Sequence, residues 1–266
     1  KFFRTIRQKL LTENKFSKYL LYAVGEIILV VIGILIALKI NNWNESKQNE
    51  DLEIAYLKGI KTNLIDDINE LEMHFVSDTT NFDTYTFLIR AFNSDNIESK
   101  SQEIISNLNS SSRLHWFEGQ DIVFEDMKSS GGLNLIQSDA VKYAIQKYYK
   151  FFQEVIKQEN QYISEIRKHA DRNAQYLNVS SFLEPRFPKR WNGNTGPPSL
   201  SLIKDSDFNQ IKPKFIDNLS NIKSYKYLSH KVRLDLYQKG NSLNNIIEQY
   251  LLIYIFIRCL QLLKNN

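Results

Sequence analysis

Few residues in this chain have the types and spacing that chemistry needs. It carries four histidines, His74, His115, His169 and His230. None has a second ligand three or four positions away, so a metal centre would have to be assembled from distant segments. Asp66, Asp67, Glu70 and Glu72 form an acidic patch at helical spacing. Acid–base catalysis would need two such carboxylates aimed at one substrate, whereas charge along one helix ordinarily marks a solvated face. Ser129-Ser130-Gly131-Gly132 resembles a phosphate cradle, but no Lys-Ser/Thr follows it, so a turn is expected. The sequence contains no GxSxG, HExxH or CxxC pattern. No catalytic, metal-ligating or cofactor-binding residue is therefore assigned, no cofactor is expected, and the chain is read as a non-enzyme. The single cysteine, Cys259, excludes an intramolecular disulfide, and its apolar neighbours suit packing rather than reactivity.

The residue most out of place is Glu26. It lies within YLLYAVGEIILVVIGILIALKI (Tyr19–Ile40), a run long enough to cross a bilayer as one helix, which takes about 20 apolar residues. A charge near the middle of such a helix costs about 2.5–3.5 kcal/mol on insertion scales. Lys39 cannot neutralise it, being about 20 Å further along at 1.5 Å per residue. Glu26, Val30, Gly33 and Ala37 share one face, and Gly33-xxx-Ala37 is a small-residue pair that admits close approach of another helix. This face is expected to pack against a membrane helix, in a homo-oligomer or a partner subunit, with Glu26 hydrogen-bonded there. The competing reading keeps the helix alone, with Glu26 protonated and bonded to Tyr22, or snorkelling to the interface.

The flanks of the run set its orientation. Before it stand six basic residues and one acid; Glu26 and Lys39 cancel within it; the 27 basic and 28 acidic residues that follow give −1 within a total of +4. Lys and Arg remain cytoplasmic, so residues 1–18 are expected inside and the main domain outside. Tyr19 and Tyr22 at one boundary and Trp43 at the other suit interfacial anchors. A cleaved signal peptide would need a shorter apolar core and a small-x-small site, so an uncleaved anchor is favoured. Phe2, Phe3, Ile6, Leu10 and Leu11 with Arg4, Arg7 and Lys9 suit a short helix on anionic lipid, the rival being a solvated tail. The near-neutral external part gives no case for nucleic acid.

The organisation expected is a basic segment (1–18), a transmembrane helix (19–41) and a periplasmic α-helical domain (42–266). All five prolines fall between Pro185 and Pro213, leaving the rest free of that breaker. From Asn49 to Asn81, Ile54, Leu57, Ile60, Leu64, Ile68, Leu71 and Phe75 recur at steps of three and four, predicting an amphipathic helix rather than a free coiled coil, with Thr84–Phe92 extending or repeating it. A short helical piece is expected around Ile104–Leu108. Ser138-Asp139 predicts an N-cap for a helix reaching about Tyr176. Residues 178–213 are expected to be irregular, a surface excursion or a functional loop carrying Arg186 and Trp191. A last helix from about Lys214 would bury Ile216, Leu219, Ile222, Tyr225, Leu228, Val232 and Leu236. It ends in YLLIYIFIRCLQLL (250–263), apolar all round but short for a span, which favours burial or an interfacial position over a second crossing.

The segment FFRTIRQKLLTENKFSKYLLYAVGEIILVVIGILIALKINNWNE (Phe2–Glu45) resembles an uncharacterised family of membrane-anchored proteins found mainly in Bacteroidota, a domain of unknown function. Its shared positions include Gly25, Glu26, Gly33, Asn42, Trp43, Asn44 and Glu45, and FEDMKSSGGLNLIQ adds Ser129, Ser130 and Gly131. No diagnostic match is seen beyond about Gln153. The resemblance implies an inner-membrane anchor with a periplasmic helical domain and supplies no activity. The resulting expectation is an interaction or scaffold subunit of an envelope complex. The alternative is a ligand-binding sensor that signals through a partner, since about 18 cytoplasmic residues leave no room for an output domain; an envelope enzyme ranks third.

Overall fold

A computed structural model describes residues 16–111, 114–176 and 205–264, with the side chains of 16–19, 22, 98, 109, 205–207 and 257–264 outside the description. The segments 1–15 and 177–204 lie outside it too, and with them the expected basic helix, Arg186 and Trp191. Among the described residues the protein is mainly α, without strands. Its helices are α1 (Phe16–Asn93), α2 (Ser101–Ser111), α3 (Ile122–Ser130), α4 (Asp139–Ala174) and α5 (Asp205–Lys264). Single 3₁₀ turns cover Glu98–Lys100 and Gly132–Leu135. The chain divides into two compact units, Lys1–Ala55 and Tyr56–Asn266.

The first unit holds the apolar run. An 18-residue stretch of it has a mean hydropathy of 2.6 with none of that stretch buried, and its helix is long and apolar enough to cross a membrane. Leu21, Ile27, Leu29, Val30, Leu35 and Ile40 are all more than half exposed. An uninterrupted helix satisfies every backbone N–H and C=O internally, which hydrocarbon demands.

The second unit is a bundle of three long helices: the Tyr56–Asn93 part of α1, α4 and α5. Leu57, Ile60, Leu64 and Leu71 are buried at the predicted spacing, and Thr84–Phe92 does extend the helix, burying Tyr85, Leu88 and Phe92. The Ser138 hydroxyl caps α4 by accepting from the Val141 N–H at 3.4 Å. α5 runs antiparallel to α1, with Lys61 against Glu248 (3.3 Å), Tyr237 against Glu72 (2.8 Å) and Lys223 against Thr86 (2.7 Å). It is antiparallel to α4 as well, where Glu159 meets Arg233 and His169 meets Asn218.

Two expectations about α5 are corrected. The helix starts at Asp205 and contains Pro213. Pro213 is exposed, so its missing N–H and bulky ring face solvent. Phe208 and Phe215, on either side of it, pack on Phe92 at centroid distances of 6.3 and 4.6 Å, and this burial outweighs the breaker. The buried face also differs. Leu219, Ile222 and Leu236 are buried as expected, but Leu228 is 38% exposed, and Lys226, Ser229 and Arg233 occupy the core positions between Ile222 and Leu236.

Candidate functional site: a clamped loop and a buried charge cluster

Between α2 and α3, residues 114–121 run without regular secondary structure. Their N–H groups still need acceptors, and the long helices supply carboxylates. Phe117 N–H donates to Glu159 Oε2 (2.9 Å) and Glu118 N–H to Glu70 Oε1 (3.0 Å). Gly119 N–H donates to Glu70 Oε2 (3.3 Å) and Gln120 N–H to Asp67 Oδ1 (2.7 Å). Gly119 has φ +63°, and a Cβ there would collide with the Phe152 ring. Only glycine takes this backbone without strain so close to an aromatic ring.

The acidic patch is thus not simply a solvated face. Asp66 and Glu72 are exposed, but Asp67 is buried and Glu70 half-buried under the loop. Asp67 also accepts from Tyr148 Oη at 3.2 Å. Burial pushes its carboxyl up to about 7, against the opposing pull of the Gln120 N–H and the Tyr148 hydroxyl, with Glu70 and Asp66 adding like-charge repulsion. Burial also raises the Tyr148 and Tyr149 hydroxyls. The Tyr149 ring stacks on Phe124 at 4.2 Å, which fixes α3 against α4.

Deeper in the bundle lies a charge cluster. Arg233 and Glu159 are each 2% exposed and are joined through Nε and Oε1 at 2.5 Å. The guanidinium also reaches Asp78 (3.4 Å) and donates to the His115 carbonyl (2.9 Å), so it pins the start of the loop. Ser229 donates to Glu159 Oε1 (2.7 Å), and His230 Nδ1 lies 3.0 Å from Asp78 Oδ2. The Lys226 ammonium sits 5.2 Å above the Tyr85 ring. Burial draws its pKa down to about 8, with Asp78 opposing and Arg233 assisting. Tyr85 is pushed up to about 12 by burial and donates to the Ser111 carbonyl at 2.9 Å. The cavity bounded by Asp78, His115, Lys226, Ser229 and Arg233 has a volume of about 20 Å³, room for one water. Chemically the cluster neutralises itself and holds a loop; its donors and acceptors are spent on one another.

The fold brings His74 and His115, far apart in sequence, to 6.2 Å between ring centroids; His74 also lies 3.4 Å from Glu70, while His169 lies against Asn218 and His230 against Asp78. Among the described residues no group of three or more His, Cys, Asp or Glu side chains is disposed to hold a metal. Ser129-Ser130-Gly131-Gly132 is a helix stop. Gly131, at φ +77°, caps α3, and the Ser130 hydroxyl lies 3.0 Å from Tyr56 Oη and accepts from the Gly132 N–H. A Cβ on Gly132 would come within 2.6 Å of the Tyr56 ring. In the first unit Glu26 is half-buried, and Val30, Gly33 and Ala37 are exposed. A Cβ added at Gly25 or Gly33 meets no atom within 4 Å. Asn42, Trp43, Asn44 and Glu45 are exposed, with Lys47 lying 5.9 Å from the Trp43 ring centroid. The side chains of Tyr19 and Tyr22 lie outside the described residues.

Hydrophobicity alone missed Asp78, Glu159, Lys226, Ser229 and Arg233. Position did carry a signal: Ile222, Lys226, Ser229, Arg233 and Leu236 follow steps of four and three, so the polar residues sit on the core stripe.

A long exposed apolar helix followed in sequence by a helical bundle with a paired cluster of buried charges defines a mainly α protein with one candidate membrane span. The chain belongs to a family of unknown function, DUF6090, which matches residues 26–184. The match begins at Glu26, takes in the helix stop at Ser129–Gly131, and extends past Gln153, where the sequence pattern alone showed nothing diagnostic. No curated protein and no solved structure matches the chain.

Proposed function

We propose that this protein is a non-enzymatic interaction or scaffold subunit held in the bacterial inner membrane by residues 19–41. Its N-terminus is cytoplasmic and its helical domain periplasmic. The observation that carries this reading is an 18-residue apolar stretch of α1, with a mean hydropathy of 2.6 and none of it buried, a surface that water does not tolerate. The basic residues before it and the acidic stretch after it support the orientation. The polar interior of the bundle supports a structural role, because its carboxylates and guanidinium are committed to holding residues 114–121.

Within the membrane, Glu26, Val30, Gly33 and Ala37 form the contact face toward a second copy or another membrane protein. Gly33 lets the helices approach, and Glu26 hydrogen-bonds across the contact. Cysteine cross-linking in native membranes, in a Cys259→Ser background, tests this. Val30→Cys and Ala37→Cys should cross-link and the opposite-face Ile28→Cys and Leu35→Cys should not. Adding Glu26→Ala or Gly33→Ile should weaken the cross-link. Equal cross-linking on both faces removes the contact. Extraction by carbonate, or a cytosolic reporter fused after Trp43, removes the anchor.

A further inference from the structure

The clamp on residues 114–121 fixes Trp116 from both sides. The His115 carbonyl accepts from Arg233 (2.9 Å), and the Phe117 N–H donates to Glu159 Oε2 (2.9 Å). The indole is pinned as well, its Nε1–H donating to Glu118 Oε1 at 3.0 Å. Trp116 is nevertheless 45% exposed. Buried charges are costly to assemble, and here they hold still a large aromatic side chain that the core does not use.

Beside the indole lies a cleft of about 330 Å³, a size that suits a small ligand. The rest of its lining comes from one face of α4, where Asn160, Ile163, Ser164, Arg167, Lys168 and Asp171 follow at steps of three and one. In the interior cluster every charge is committed; here most polar groups are not. Lys168 pairs with Glu165 (2.6 Å). Among the described residues no hydrogen bond or ion pair engages the side chains of Asn160, Ser164, Arg167 or Asp171.

The uncommitted charges are of opposite sign and stand four residues apart, roughly 6 Å at Cβ. A simple anion would meet Asp171, and a simple cation would meet Arg167. A sugar would cover both charges and neutralise neither, a loss once they leave water. A peptide carries its terminal charges at opposite ends. A free α-amino acid carries carboxylate and ammonium on one carbon, close enough together to meet Arg167 and Asp171 at once. Its side chain is then left to Trp116 and Ile163, which favour an apolar one.

We propose that this cleft binds a free α-amino acid with an apolar side chain, its carboxylate on Arg167, its ammonium on Asp171 and its side chain against Trp116 and Ile163. The site lies wholly within the Tyr56–Asn266 unit and does not depend on the membrane anchor.

The test is isothermal titration calorimetry of the full chain in mild detergent. Each proteinogenic α-amino acid is titrated, with glucose and inorganic phosphate as probes of other chemistries. Leucine, phenylalanine or another apolar amino acid should bind, and glucose and phosphate should not. Arg167→Gln and Asp171→Asn should each weaken that binding about tenfold, the loss expected for one charged hydrogen bond. Both side chains are exposed, so these variants keep the fold. Acetylating the ligand's amino group should weaken binding to the wild type by a similar factor and weaken binding to Asp171→Asn no further. The inference is overturned if no amino acid binds, or if glucose or phosphate binds instead. It is equally overturned if both substitutions leave affinity unchanged, or if the acetylation loss persists in Asp171→Asn.

Discussion

Asp67→Asn should make the bundle more stable at neutral and alkaline pH and remove much of the pH dependence of its stability. Asp67 is 1% exposed, and burial lifts its carboxyl from 3.8 to about 7. A folded pKa above the unfolded one means that the native state binds the proton more tightly. The stabilisation is therefore complete below about pH 4 and is lost as pH rises through about 7. Each unit corresponds to about 1.4 kcal/mol, so the ceiling is about 4 kcal/mol between pH 4 and pH 8. Asparagine keeps the geometry: its oxygen can accept from the Gln120 N–H, and its amide can donate to Tyr148 Oη. The assay is urea unfolding of the full chain in mild detergent, followed by circular dichroism at pH 5, 6, 7 and 8. The wild-type midpoint should fall across this range and the variant's should fall less, the curves diverging above about pH 6. Lys226, at about 8, is common to both proteins and affects only the upper limit. Parallel curves would refute the assignment of a buried, proton-binding Asp67.

Glu159→Ala strands the buried Arg233 and leaves the Phe117 N–H without its acceptor; a loss of about 3–5 kcal/mol is expected by chemical unfolding. Glu159→Gln, which keeps an oxygen for Phe117 and Ser229, should lose less than Glu159→Ala; equal losses would show that charge alone matters. Gly119→Ala combines a left-handed backbone, which costs about 1–2 kcal/mol, with collision against Phe152. It should lower the melting temperature far more than Gly25→Ala, where the added methyl meets nothing within 4 Å. Gly132→Ala should unsettle the Tyr56–Ser130 contact and expose α3 to limited proteolysis, whereas a serine at Ser129 replaced by alanine should leave the digestion pattern unchanged.

Much of this protein was legible in residue order because periodicity is local. The apolar run of α1 announces a candidate span by length and composition. Leu57, Ile60, Leu64 and Leu71 announce a buried stripe, Ser138 a cap, and Gly131 a stop. Each depends on neighbours within one or two turns. Pro213 shows the limit: its local cost was readable, but the aromatic contacts of Phe208 and Phe215 with Phe92 that outweigh it join residues far apart in sequence. The interior polar cluster shows the same limit. Asp78, Glu159 and Arg233 look like ordinary surface charges, since a charged residue on a helix is normally solvated. What makes them interior is the register of three helices, which sets an arginine on α5 opposite a glutamate on α4 and an aspartate on α1. Sequence alone therefore determined most of the helical segments, though not the start of α5 at Asp205, and which one is apolar enough for lipid. The tertiary structure alone decided which charges were buried and that they hold residues 114–121, because desolvation and pairing depend on distances that no local pattern contains.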